Sequence, residues 1–446
     1  MLAMFKKNMI FWLIAAAVLI FGACSGETAS DTASETRHQV QEEGNADPVE
    51  LTFMNSNANL TEEEFNDFFT KPLQEKFPHI TLSRVSGSMN DLIAQNAVPD
   101  IILTSTTGIR PLQDLQIIEP LDPLIEKYNE NLSRFDPIPL EEMRKYTEDG
   151  QILGLPYRMN FSALFYNQDI FDRFGVKEPE DGMTWDEAIQ LSRQLTREVD
   201  GIQYIGLLPP NVDLMGFGLS LPYVNENNQA VLNTDKWQMV LRTAAELFSI
   251  PGYVKDGEMA GGGTKMFRDE QRLAMLTTWG DGGIGHMEQL ARNNMAFEWD
   301  MATMPNFKEA LGYAWAIDFH SLFISTTSGH KDEAYQVISY ITNEEVQTII
   351  NRSGALTTLV KSDEVQREFG ADLQVDLSKK NLNAIFGVKP SNVHRPQTVF
   401  DNYGRNMIRA AHRRVVLEGM DVVTSLRIAQ EELNQHIQDQ LGNSAN

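Results

Sequence analysis

Cysteine is almost missing from this sequence: Cys24 is the single one in 446 residues. A lone thiol excludes an internal disulfide framework and any cysteine cage around zinc or an iron–sulfur cluster. Histidine is sparse as well; none of the eight falls in HExxH, and no GxSxG nucleophile elbow occurs. Positive charge is scarce, with 37 Lys and Arg against 62 Asp and Glu, a net −25. A surface of that sign repels phosphate backbones and anionic headgroups, which argues against nucleic acid and against electrostatic docking to a membrane. No apolar stretch of membrane-spanning length follows residue 21, and no short tandem repeat marks a solenoid or propeller. What is there is length and 42% apolar content, enough at ~100–200 residues per domain for two or more compact units.

Lys6 and Lys7 precede the apolar run 9–21, which is shorter than the ~20 residues of a spanning helix and suits the h-region of a secretory signal. The run ends in Gly22-Ala23-Cys24 and resembles a bacterial lipobox, except that Phe21 stands where an aliphatic residue is usual. On that reading 1–23 is a signal peptide and Cys24 a diacylated N-terminus, placing the chain on the extracytoplasmic face of the cell membrane, held by lipid. The competing reading is an ordinary export signal with a chance cysteine. Loss of Lys6 and Lys7 with the leader takes the net charge from −25 to −27. Residues 24–48 carry Glu27, Asp31, Glu35, Glu42, Glu43 and Asp47 against Arg37 and no aromatic residue, the composition of a disordered tether.

The folded body is expected from Val49. Val49-Glu50-Leu51-Thr52-Phe53 alternates like a half-buried strand, and Thr61 with Glu64 forms a capping box opening a helix through Phe68 and Phe69. Strands follow over 80–85 and 99–103, with a short helix over 91–95 between them, the order of a parallel α/β sheet. A ligand crevice would lie beyond the carboxyl ends of those strands, at Asn55, Asn57, Thr104, Ser105 and Thr106. A second α/β unit comprises strands 161–167, 204–208, 273–278 and 299–304, with helices 185–197, boxed by Thr184 and Glu187, one capped by Thr234, and 285–293. A strand over 315–324 and helices over 331–342, 344–351 and 423–441 come late.

Gly280-Asp281-Gly282-Gly283-Ile284-Gly285 matches GxGxxG after a strand, with Glu298 and Asp300 where a ribose-binding acid would be sought. The same glycines suit a loop that approaches a ligand closely. Gly261-Gly262-Gly263-Thr264-Lys265 has the ingredients of a phosphate loop in the wrong order and reads as a flexible turn. No carboxylate pair stands out as an acid and base, so the residues favour a binding protein with no cofactor and no metal over an enzyme.

Ordered landmarks over nearly the whole body resemble family 1 of the bacterial extracellular solute-binding proteins, the maltodextrin-binding class of ABC importer subunits. They run Pro99-Asp100-Ile101-Ile102, Leu121-Asp122-Pro123-Leu124-Ile125, Gly154-Leu155-Pro156, Ala163-Leu164-Phe165-Tyr166-Asn167-Gln168-Asp169-Ile170-Phe171 and Met183-Thr184-Trp185-Asp186-Glu187-Ala188. Leu273-Ala274-Met275, Thr278-Trp279-Gly280 and the stretch 334–342 leading into Gly354 complete the series. The resemblance implies an α/β, two-lobe periplasmic-binding-protein-like fold with hinge crossovers and a ligand cleft between the lobes. Lobe one would span 49–158, completed by 316–370, and lobe two 159–315, completed by 371–446. Crossovers would fall at Tyr157-Arg158-Met159-Asn160, at 313–318 and around 381–395.

It also implies a monomer that takes a carbohydrate, a mono- or oligosaccharide, and hands it to ABC permease transmembrane subunits. Trp279 matches the family's stacking aromatic, or is a core residue; Asp281 is a bidentate acceptor or a loop cap. Asn160 and Arg158 follow the first crossover, Arg158 as ligand donor or as structural partner of a carboxylate. Trp315 and Asp318 on the return strand are open in the same way, and Phe217, Phe400 and Tyr403 are weaker stacking candidates or core. Thr104-Ser105-Thr106-Thr107 stand where many maltodextrin binders carry an aromatic and an acid, which points to a smaller or more hydroxyl-rich contact. A secreted glycan-active enzyme and a ligand-binding sensor on the same scaffold are the alternatives.

Overall fold

The computed structural model describes residues 47–444 except Asn59, Pro210 and Pro396; Cys24, the leader and all of the tether but Asp47 and Pro48 lie outside them. Two five-stranded sheets organise the body. The first runs Ile80–Val85, Val49–Asn57, Ile101–Ser105, Phe319–Ile324, Gly154–Met159. The second runs Trp299–Thr303, Ser162–Asn167, Leu273–Trp279, Ile202–Leu208, Arg197–Val199.

Neither sheet is purely parallel, as the strand–helix alternation had suggested. Phe319–Ile324 runs against both its neighbours, and Ser162–Asn167 against both of its own. The reason is topological. Strands such as Ile101–Ser105 and Leu273–Trp279 end between the lobes, whereas a strand entering a lobe from a crossover starts there and must run outward.

The local signals hold where they are strongest. The Thr61–Glu64 and Thr184–Glu187 boxes are both formed, and Thr234 accepts from the Trp237 N–H; each cap is worth about 1 kcal/mol. Helix Glu62–Phe65 continues through a π-turn over Asn66–Thr70 into Lys71–Lys76, which lays Phe65 and Phe69 on Phe53 and buries Phe68.

Three expectations change. The glycine string is not a loop: helix Gly280–Arg292 starts directly after Trp279. A Cβ on Gly280 would lie 1.9 Å from Phe161 Cε2, and one on Gly283 2.4 Å from Phe165 Cζ. Those glycines therefore seat a helix on its sheet. The single strand expected over 315–324 is two, Tyr313–Ala316 and Phe319–Ile324, and the former pairs with Lys389–Ser391 in a separate ribbon. Gly262, at φ +71°, begins helix Gly263–Arg268 instead of a free turn.

Helices Lys331–Ile341 and Glu344–Arg352 pack on the first lobe; Asp401–Glu418 and Val422–Ser444 pack together and on Asp235–Phe248 of the second. Each lobe is thus assembled from separated stretches of chain. Among the described residues no helix is long and apolar enough to cross a membrane.

Candidate functional site

Between the lobes lies a cleft of about 190 Å³. From the first lobe it is lined by Ser105, at the end of its strand, and by Thr106 and Thr107, in the first turn of helix Thr106–Asp114. Asn57 Nδ2 donates to Thr107 Oγ1 at 2.9 Å and to Ser105 Oγ at 3.3 Å, and the two hydroxyls sit 3.1 Å apart. Thr104 is not part of this surface. Successive strand residues face opposite ways, and Thr104 is fully buried against Gly108, where a Cβ would come within 1.9 Å of its Oγ1. Asn55 is spent on its own loop, exchanging hydrogen bonds with Ala58.

Ala316, Ile317 and Asp318 form the hinge wall. Burial alone would raise the Asp318 pKa. Hydrogen bonds from His320, Asn160 and Thr106 outweigh it and hold the carboxyl below its ordinary value, so it is an acceptor at neutral pH. Behind it Arg158, 2% exposed, donates to Glu64 at 2.7 Å and lies 3.7 Å from Asp281 and 3.4 Å from His320 Nδ1. Desolvation works against the Arg158 charge; Tyr157, Glu64 and Asp281 more than offset it, and its pKa is raised. Glu64 belongs to the first lobe and Asp281 to the second, so this ion ties the two together. Asn160 Oδ1 accepts from Phe161 N at 2.9 Å, and Asp281 Oδ1 from Gly282 N at 2.6 Å. Arg158, Asn160 and Asp281 are therefore a bed beneath the cleft and do not line it.

The second lobe supplies rings and a cation. Trp279, at the end of its strand, lines the cleft and meets Trp315 edge-on, centroids 4.9 Å apart at 76°. Trp315 is buried behind it, and its Nε1 has no hydrogen-bond partner among the described residues. Leu214 and Phe217 complete the apolar wall, with the Arg405 guanidinium 5.9 Å from the Phe217 ring. His394 and Gln397 enter from the last crossover, His394 Nε2 lying 2.8 Å from Asp401 Oδ2. Tyr403 lies elsewhere, stacked on His436 at 3.9 Å and 4°, and Phe400 is core.

His394, Gln397 and Arg405 were missed at the level of sequence; the spacing of Arg405, Arg409 and Arg413, four apart, was the available signal. Asp318 is the one acid among the described lining residues, where glycosidic hydrolysis uses two. Among the described residues no group of His, Cys, Asp and Glu could hold a metal ion.

Two lobes linked by crossovers and enclosing a polar-and-aromatic cleft define a solute-binding fold. The family comparison makes this specific: residues 58–348 match the bacterial extracellular solute-binding proteins, and the chain belongs to that family. An arabinooligosaccharide-binding protein of Bacillus subtilis is 27% identical over 249 residues, 52% of this chain and 52% of that one, so the match spans about half the relative's length. An ABC substrate-binding protein from Listeria monocytogenes in complex with cycloalternan superposes with a TM-score of 0.67, at 17% identity over 88% of this chain and 99% of that one. UgpB from Mycobacterium tuberculosis in complex with glycerophosphocholine gives 0.66, at 18% identity over 89% and 100%. At such identities the structures bear on the fold, and the fold is the two-lobe one expected.

Proposed function

We propose that this protein is the ligand-capturing subunit of an ABC importer, that it binds a mono- or oligosaccharide, and that it is held as a monomer on the extracytoplasmic face of the cell membrane by a lipid on Cys24. The cleft carries the reading: Trp279 offers a flat face to the C–H side of a pyranose, while Ser105, Thr107 and Asp318 offer partners to its hydroxyls. Support also comes from the family and from the sugars named for the Bacillus and Listeria proteins. Ligand touching both walls would favour the closed arrangement of the lobes, the form a permease can read. A micromolar Kd, about −8 kcal/mol, is within reach of one stacked ring and several satisfied hydroxyls.

The test is a thermal-shift series over arabino-, manno- and malto-oligosaccharides, glycerophosphocholine and amino acids. A glycan at a hundred times its Kd should stabilise the fold by about 2.7 kcal/mol. A shift with glycerophosphocholine or an amino acid and with no glycan would overturn the carbohydrate reading. For the anchor, labelled palmitate should enter the protein in cells and be lost in Cys24→Ala; an unlabelled wild type overturns that part.

A further inference from the structure

A second and larger cavity, about 390 Å³, lies wholly within the second lobe. It opens at the carboxyl end of strand Ile202–Leu208, whose parallel neighbour Leu273–Trp279 presents Trp279 to the cleft. Its floor is apolar, with Leu208, Val212, Met215 and Phe248 buried and Met259 half-buried. Its charged lining comes from helix Asp401–Glu418: Arg409 and Arg413, with no acid among the described lining residues.

Arg405, Arg409 and Arg413 share one helix face, each step about 6 Å along the axis. Arg405 lines the cleft and the other two line the second cavity, so a cationic row runs from one into the other. The wall between them is the short helix Val212–Met215, with Leu214 on the cleft side and Val212 and Met215 on the cavity side. Within it Asp213, fully buried, accepts from Arg409 at 2.7 and 3.0 Å and lies 3.5 Å from Arg405. One carboxylate cannot balance three guanidiniums. Arg413 is exposed and pairs with no acid among the described residues, so the row keeps a positive surplus in a chain of net charge −25.

His412 adds a second kind of group. It lines the same cavity at 6% exposure, and its Nε2 has no hydrogen-bond partner among the described residues. Burial keeps the ring neutral near pH 7. A neutral imidazole nitrogen can give or take one hydrogen bond from a hydroxyl.

We propose that this cavity is a second binding pocket for a uronate, a sugar unit bearing a carboxylate, at the end of a glycan whose neutral part occupies the cleft. Arg413 and Arg409 hold the carboxylate, His412 meets a ring hydroxyl, and Met215, Met259 and Phe248 cover the C–H face. This deepens the carbohydrate reading and rests on it.

Calorimetric titration with matched pairs tests it: glucosyl- and glucuronosyl-terminated oligosaccharides on arabinan, mannan and α-glucan backbones, the members of each pair differing by one carboxylate. In one pair at least, the acidic member should bind about five- to tenfold tighter at low salt. That preference should shrink as salt rises and vanish in Arg413→Gln, with neutral-member affinity unchanged. Equal affinity within every pair that binds, or a preference that survives Arg413→Gln, overturns the second pocket and leaves the carbohydrate reading standing. Failure of every member of every pair to bind overturns both.

Discussion

The two walls of the cleft are built on different principles. The first lobe presents short hydroxyl side chains already tied to one another: Asn57 holds Ser105 and Thr107, and Thr106 Oγ1 accepts from Phe319 N at 2.9 Å. The second presents the rings of Trp279 and Phe217 and the Arg405 guanidinium, and behind Trp279 the buried Trp315 Nε1 has no hydrogen-bond partner among the described residues. Short, prearranged hydroxyls fix a ligand's register at little cost in side-chain entropy, and rings supply the buried area. On the proposed function, ligand choice would rest with the second lobe and ligand orientation with the first.

The deepest cut through this division is Arg158→Met, which removes the cation shared by Glu64 of one lobe and Asp281 of the other. Two carboxylates are left facing each other without it, at a cost of about 3–5 kcal/mol in urea unfolding. A loss below about 1 kcal/mol would mean that the lobes do not depend on this ion. Next comes pH, acting on the second lobe through His412, whose pKa burial pushes down to about 4 from 6.5. The unfolded chain takes up a proton below about pH 6.5 and the native one does not, so this contribution is complete above 6.5 and declines as pH falls toward 4. The decline amounts to about 3 kcal/mol, read as the difference between wild type and His412→Leu in unfolding series at each pH. Parallel curves would show that the ring titrates normally. The smallest effects compare the walls directly. Trp279→Ala should weaken ligand about 30-fold, near 2 kcal/mol, and Ser105→Ala about fivefold, near 1 kcal/mol, by calorimetry. The reverse order would invert the roles assigned to the two lobes.

What could be read from the sequence was what is local. Thr61 with Glu64, Thr184 with Glu187 and Thr234 announced their helices because a cap is a matter of four consecutive residues. The second duty of Glu64, pairing with Arg158, joins residues far apart in the chain and left no local trace. Gly280 and Gly283 read as a loop because their purpose is two rings distant in the chain, Phe161 just before strand Ser162–Asn167 and Phe165 on it. Thr104 and Ser105 were grouped together although strand alternation already separates them. Helix Asp401–Glu418, which carries the arginine row, went unread since Asn402, Gly404 and Asn406 depress helix propensity at its start. Gly404 is there for space: a Cβ would come within 2.6 Å of Tyr223 Cβ.

The reversed strand Phe319–Ile324 has a consequence for how the molecule is made. It fills the gap between Ile101–Ser105 and Gly154–Met159, both synthesised long before it. At about 5–20 residues per second the edge left at Ser105 waits on the order of 10–40 s for Phe319 to appear. The second sheet needs nothing beyond Thr303 and can close first. Its earlier-made neighbour spends that interval with two bare edges, open to mispairing, so the lobe begun first is the one finished last.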